Sequence, residues 1–332
     1  MQLTGEDVRM FRLHHRLTQQ GMADFLNQRL DRSYDGATIS RWEKGKVPVP
    51  ATVHVALTTP QPRSTMVLVV ANQKGGVGKT TSTLNLGYAL AEIGWRVLAV
   101  DNDPQANLTS GLGFQPHELE EEGRTLRGVL TGDIAATEAV VDAYPDREDI
   151  VFDLLPSALQ LARAEVTIAA QPGAEMVLRE KLTPVFGRYD AVLIDCSPSI
   201  GLLTRGALTA ATHLLVPVQT ENFAVMGVAS LLEEVALIRA RLNERLEILG
   251  ILPTMYNARQ QVDQMVLAYL QDQFGTQTTV FEPVARATDH AKASGVGRPS
   301  LESYPQAPGS DAYRELADRV VTVMGAEKRH AS

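Results

Sequence analysis

The chain has 332 residues, 44% hydrophobic, 5% aromatic and 21% charged, with a net charge of −8. That is enough apolar material for a sizeable core and excludes wholesale disorder, and the length suggests two domains or one large α/β domain with an appendage. A single cysteine, Cys196, excludes a disulfide framework and a multi-cysteine zinc site, and fits a reducing cytoplasm.

In chain order, MQLTGEDVRMFRLHH carries charges with no apolar run behind them, so no signal peptide is expected, and no stretch approaches the ~18 apolar residues that span a bilayer. Residues 1–58 hold eight basic and six acidic residues, a net +2, whereas the rest of the chain is at −10. A slightly basic head on an acidic body points to a head that meets a polyanion. Val8 and Phe11 begin one apolar stripe, and Met22, Ala23 and Leu26 form another at helical spacing. PQPRST, 60–65, is polar and proline-rich, as a linker should be. The expected organisation is a helical head at 1–59, a linker at 60–65, a body at 66–326 and a tail at 327–332.

From residue 66 the period changes. MVLVVAN (66–72) is a continuous apolar run, the mark of a strand buried on both faces. A glycine loop follows, then a helix ended by Gly94, then a second buried strand, WRVLAVD (95–101). Further strands are expected at 149–156, 189–195, 212–218 and 246–254, with helical stretches between them, notably 224–242. This alternation predicts an α/β fold: a parallel sheet with helices on both faces, ligands at the carboxyl ends of its strands, and a small all-α domain in front. The weakly patterned segment 113–148 is expected to be mobile or peripheral, with Glu120 to Glu122 a solvated face.

The loop QKGGVGKTT (73–81) carries chemistry. Glycines let consecutive amides converge on phosphate oxygens without Cβ clashes, and the helix behind aims its positive end at the same anion. Gly75, Gly76, Val77 and Gly78 would form the cradle. Lys79 would reach the β- and γ-phosphates, the Thr80 hydroxyl would ligate Mg²⁺, and Thr81 would touch the α-phosphate. The standard form has its first glycine where Gln73 stands, and here a second lysine, Lys74, follows it.

K-G-G-x-G-K-T-T resembles the deviant Walker A loop of the ParA/MinD/nitrogenase-iron-protein group of P-loop ATPases. The resemblance implies an ATP-dependent homodimer in which two ATP molecules are sandwiched and Lys74 crosses to the partner's phosphates. DNDPQ (101–105) is similar to the family's first switch segment, so Asp103 would position or activate the attacking water and Asp101 would support the metal. YDAVLID (189–195) looks like Walker B, with Asp195 holding Mg²⁺ through water, and Ser197-Pro198 would open a second switch. Cys196 reads as a small buried filler, and one cysteine argues against the iron protein. PVQTENFAVMG (217–227), TMYNAR (254–259) and 283–317 resemble the ParA/Soj partition branch, which implies a slow ATPase. Its partners would be DNA, bound without sequence preference, and a ParB-like centromere-binding protein. Asn257 would face the adenine, and Arg259, Arg286 and Lys292 would serve DNA. Residues 17–50 resemble the Cro/repressor helix-turn-helix. Thr18-Gln19 would begin its first helix, Thr38 and Arg41 would read bases, Gln19, Lys44 and Lys46 would meet phosphates, and Gly45 would stop the recognition helix. Leu26 to Ile39 is about six residues longer than the usual turn, so NQRLDR would extend the helix or loop outward. A last-helix stripe at Leu316, Val320, Val321 and Met324 is expected to dock on the body instead of a membrane. A cytoplasmic, nucleoid-associated protein follows. A regulator using ATP only as a ligand switch, and a cargo-positioning ATPase, stay open as alternatives.

Overall fold

The sheet is built from β1 (Met66–Val70), β2 (Arg96–Asn102), β3 (Val141–Asp142), β4 (Val151–Leu155), β5 (Ala191–Cys196), β6 (His213–Gln219) and β7 (Glu247–Thr254). In this computed structural model, residues 4–14, 17–30, 32–50, 52–53, 57, 65–221 and 224–330 are described. The chain divides into two compact units, Met1–Arg63 and Ser64–Ser332. Residues 60–64 of the expected linker lie outside the described residues.

The seven strands lie in the order β3-β4-β2-β5-β1-β6-β7, all pairs parallel except β3 with β4. Side chains alternate across a strand, so Val67 and Val69 of β1 enter one core layer while Met66, Leu68 and Val70 enter the other. Both layers are covered by helices, which is why the inner strands read as unbroken apolar runs. The helix Lys79–Glu92 leaves the end of β1 and crosses so close to β4 that a Cβ on Gly87 would stand 2.5 Å from Phe152 Cζ. Gly94, at φ 87°, turns the chain back into β2.

The six long strands fall where the apolar runs predict them; β3 is additional. The segment 113–148 differs from expectation. It forms the short helices Pro116–Glu121, Leu126–Thr131 and Ala136–Ala139 before β3. Leu126, Val129, Leu130, Ala136 and Ala139 are buried in the same core as β1. The helices are too short to show a period, which hid their apolar faces. Glu120 is not solvated either: it accepts from Thr125 Oγ1 (2.6 Å) and pairs with Arg127. The last helix, Ser310–His330, runs past the expected end of the body at 326, and Leu316, Val320 and Met324 are buried against the sheet's other helices, as expected.

The first unit holds helices Gly5–His14, Gln19–Leu30 and Gly36–Glu43 around Val8, Met22, Ala23, Leu26, Ile39, Trp42, Val49 and Val53. Thr18 caps the second helix, accepting from the Gly21 amide at 2.9 Å. Asp35 caps the third, accepting from the Thr38 amide at 2.8 Å. Gly45, at φ 65°, ends it. The additional residues lengthen the second helix to Leu30.

Candidate nucleotide site

Adjacent strands β2, β5 and β1 end side by side, and their carboxyl ends supply the three chemistry-bearing segments. The loop after β1 is the cradle. Gly76 and Gly78 take φ 73° and 84°, and a Cβ on Gly75 or Gly76 would meet nothing within 4 Å. The helix Lys79–Glu92 begins at Gly78 with no side-chain cap, so its first amides are available to an anion. Two anchors hold the loop from below. Thr254 Oγ1, at the end of β7, donates to the Val77 carbonyl (2.8 Å), and the Asn72 side chain donates to the Pro217 carbonyl (2.7 Å). Lys79 is 7% exposed and donates to the Lys74 carbonyl (3.2 Å). Burial pushes its ammonium below the usual range, partly offset by the Asp195 carboxylate.

Thr80 Oγ1 donates to Asp195 Oδ2 at 2.6 Å, joining the loop to the end of β5. Asp101 is the register partner of Asp195 across β2 and β5, and both are buried. Burial pushes both above the usual carboxylate range, and neighbouring carboxylates add to it, Asp101 at Asp195 and Asp103 at Asp101. A divalent cation beside them would relieve that repulsion, and hard oxygen donors are what Mg²⁺ takes. Among the described residues no group of three or more His, Cys, Asp or Glu could hold a metal. The Thr80–Asp195 pair therefore fits an ion that draws its remaining oxygens from phosphate and water.

The structure ties Asp101 to its own chain more closely than the sequence suggests. Oδ2 accepts from the Thr109 amide (2.8 Å) and hydroxyl (2.7 Å), and Oδ1 from the Asp103 amide (3.3 Å). Asp103 is 8% exposed, and its Oδ1 accepts from the Gln105 amide (2.9 Å). Lys74 is half-buried and forms an ion pair with Glu221, which follows β6.

A cleft of about 240 Å³ opens beside the loop, lined by Gly78, Thr81, Thr254, Met255, Val284 and His290 among others. Asn257 does not line it. Its backbone amide donates to Asp263 (2.7 Å) and its Oδ1 accepts from the Arg259 amide (3.0 Å), closing a local turn. The walls of the cleft are the turn after β7 and 284–290, which lie in stretches that the resemblance marks without pointing to a cleft. Arg286, read from the sequence as a DNA residue, also lines this cleft.

The other expected DNA residues fall in two groups. Arg259 and Lys292 are exposed on the body, Lys292 paired with Asp289 at 2.9 Å. In the first unit Arg41 and Lys44 are exposed, and Arg41 also donates to Thr38 Oγ1 (2.9 Å). Gln19 donates to Glu43 (2.8 Å), beside the Arg12–Glu43 pair at 2.6 Å. Cys196 is buried, and burial pushes its thiol up to about 12.

A family described as an AAA domain matches residues 65–248. The sporulation initiation inhibitor protein Soj of Bacillus subtilis is 38% identical over 256 residues, covering 76% of this chain and 97% of that protein. The chain belongs to the ParA/Soj family of P-loop ATPases. The chromosome-partitioning ATPase Soj of Thermus thermophilus is 42% identical over 254 residues, covering 76% of this chain and 94% of that one. Among solved structures, cobyrinic acid a,c-diamide synthase of Mycobacterium smegmatis with bound ADP and magnesium superposes with a TM-score of 0.65 at 37% identity, covering 77% of this chain and 94% of that one. In ParA/Soj terms, the loop at 74–81, Asp101 to Asp103 and Asp195 are brought to one edge of the sheet, while Asn257 is not among the residues that line the cleft. Thr109, Thr254 and Glu221 were missed, because a threonine or a glutamate carries no signal until the fold gives it a partner.

Proposed function

We propose that this protein is a partition ATPase whose ATP-bound form dimerises and binds DNA, and that hydrolysis ends that state. The observation that carries the reading is the convergence of the glycine cradle, the Thr80–Asp195 contact and Asp103 at one sheet edge. The cradle amides and Lys79 would bind and orient the triphosphate. Thr80 and Asp195 would hold Mg²⁺, which supplies charge neutralisation when bound. Asp103 would orient the attacking water, and Asp101 would hold the segment that carries it. The Thr254–Ala287 wall would take the base. Phosphoryl transfer depends on positioning and electrostatics, so a lone carboxylate beside water gives slow turnover, which suits a timer. Lys74 would leave Glu221 and cross to a second protomer's phosphates.

The names and the nucleotide-bound relative support ATP and magnesium. The first unit is proposed to read operator DNA through the helix Gly36–Glu43, with Thr38 and Arg41 at base edges and Lys44 and Lys46 at phosphates. Arg259 and Lys292 would give the body its sequence-independent affinity, which should weaken steeply with salt. A centromere-binding protein would stimulate hydrolysis. The deciding experiment is ATP hydrolysis with and without DNA in the wild type and Asp103→Ala. A DNA-stimulated rate that the substitution abolishes is expected, and equal rates would leave a ligand-switched regulator as the reading.

A further inference from the structure

Ser157 stands two residues beyond β4, across the sheet from the cradle, and it is fully buried. Its hydroxyl donates to the Asp103 carbonyl (2.8 Å) and its amide donates to Thr109 Oγ1 (3.0 Å). Thr109 Oγ1 donates in turn to Asp101 (2.7 Å). The two hydroxyls thus bracket residues 101–109 from the β4 side. The Asp103 carbonyl already accepts from the Ala106 amide (2.9 Å), which closes the local turn without help. A second donor on the same oxygen fixes the tilt of the peptide after Asp103 and so the direction of its carboxylate. Ala106 sits at φ 53°, a left-handed conformation that a non-glycine residue holds only when its surroundings impose it. Leu126, in the helix Leu126–Thr131, donates its amide to the Pro156 carbonyl (2.7 Å), so the bracket is itself backed by the 113–148 segment.

We propose that Ser157, acting with Thr109, is a positioning residue that sets the orientation of Asp103 for hydrolysis. The inference rests on the ATPase reading, since it assigns Ser157 a part in that reaction through Asp103 and gives it no contact with the nucleotide. A residue that merely filled space would be replaced by alanine without loss. A residue that aims a carboxylate changes kcat and leaves nucleotide binding alone.

The test compares Ser157→Ala, Thr109→Val and Thr109→Ser in the full chain. Ser157→Ala and Thr109→Val should lower kcat roughly tenfold with KM for ATP within about twofold, and Thr109→Ser, which keeps the hydroxyl, should stay near wild type. Hydrogen exchange supplies a readout independent of turnover: amides in the 103–109 peptide should exchange at least ~fivefold faster in Ser157→Ala, with the rest of the sheet unchanged. An unchanged kcat, or unchanged exchange at 103–109, would overturn the inference. If the wild type hydrolyses no ATP, the reading of function fails instead, and the exchange result alone decides whether Ser157 restrains the segment.

Discussion

Thr80 shows how one side chain can join two segments of a site. Its hydroxyl meets Asp195 from a strand 115 residues away in sequence. The contact joins the cradle to the end of β5, and the two oxygens are the ones proposed to hold the metal. Thr80→Val keeps the shape and removes the oxygen. Magnesium-dependent ATP affinity should fall by at least about tenfold, equivalent to ~1.4 kcal/mol, while magnesium-free nucleotide binding stays close to wild type in calorimetry. Equal magnesium dependence in both proteins would remove Thr80 from the metal's surroundings. Cys196, next to Asp195, illustrates the opposite case: it is buried beside Asn102, and its thiol is too weakly acidic to act as a nucleophile.

Among elements, the third helix of the first unit depends on Glu43 at its end. Burial by itself would raise the Glu43 pKa, but hydrogen bonds from Arg12 and Gln19 outweigh it and hold the carboxyl below its usual 4.5. A depressed carboxylate contributes stability above its unfolded pKa, and that contribution disappears as pH falls through the folded one. In Trp95→Phe protein, Trp42 fluorescence should therefore show the first unit losing stability as pH drops below about 4.5. Glu43→Gln should flatten that dependence, and an unaltered slope would assign it to other groups. The final helix tests a different element. Leu316 and Val320 are fully buried, so Leu316→Ala should cost about 2–5 kcal/mol in denaturant unfolding of the body. Docking of this stripe also predicts that the protein with ATP does not sediment with anionic vesicles. No helix among the described residues is long and apolar enough to cross a membrane.

For the whole molecule, the second lysine of the loop offers a test of dimer formation. Lys74 pairs with Glu221 within one chain, whereas Lys79 is buried under the cradle. The two lysines thus differ in setting: Lys79 is buried and donates to the Lys74 carbonyl, and Lys74 is half-buried and paired with Glu221. With a nonhydrolysable ATP analogue, light scattering should report a dimer for the wild type and a monomer for Lys74→Ala, with analogue affinity for the monomer changed by less than about tenfold. A dimer in both would place Lys74 outside the interface. DNA binding by the assembled form should fall linearly on a log–log plot against salt, with a slope that Arg259→Ala and Lys292→Ala reduce.

What the sequence determined by itself was whatever depends on neighbours along the chain. The six buried strands could be read because a strand covered on both faces is a continuous apolar run, and the cradle because glycines, lysine and threonine must follow one another to surround a phosphate. The position of the last helix's stripe and the cap at Thr18 were legible for the same reason. Tertiary structure decided everything that depends on distant segments meeting. The burial of 113–148 was hidden by helices too short to show a period. The wall of the cleft comes from the turn after β7 and from 284–290, while Asn257 closes a local turn and does not line it. The restraint on Asp103 comes from Ser157, a residue with no motif and no charge. It gains a role only because β4 lies beside β2, and that adjacency is a property of the sheet order, which no local stretch of sequence encodes.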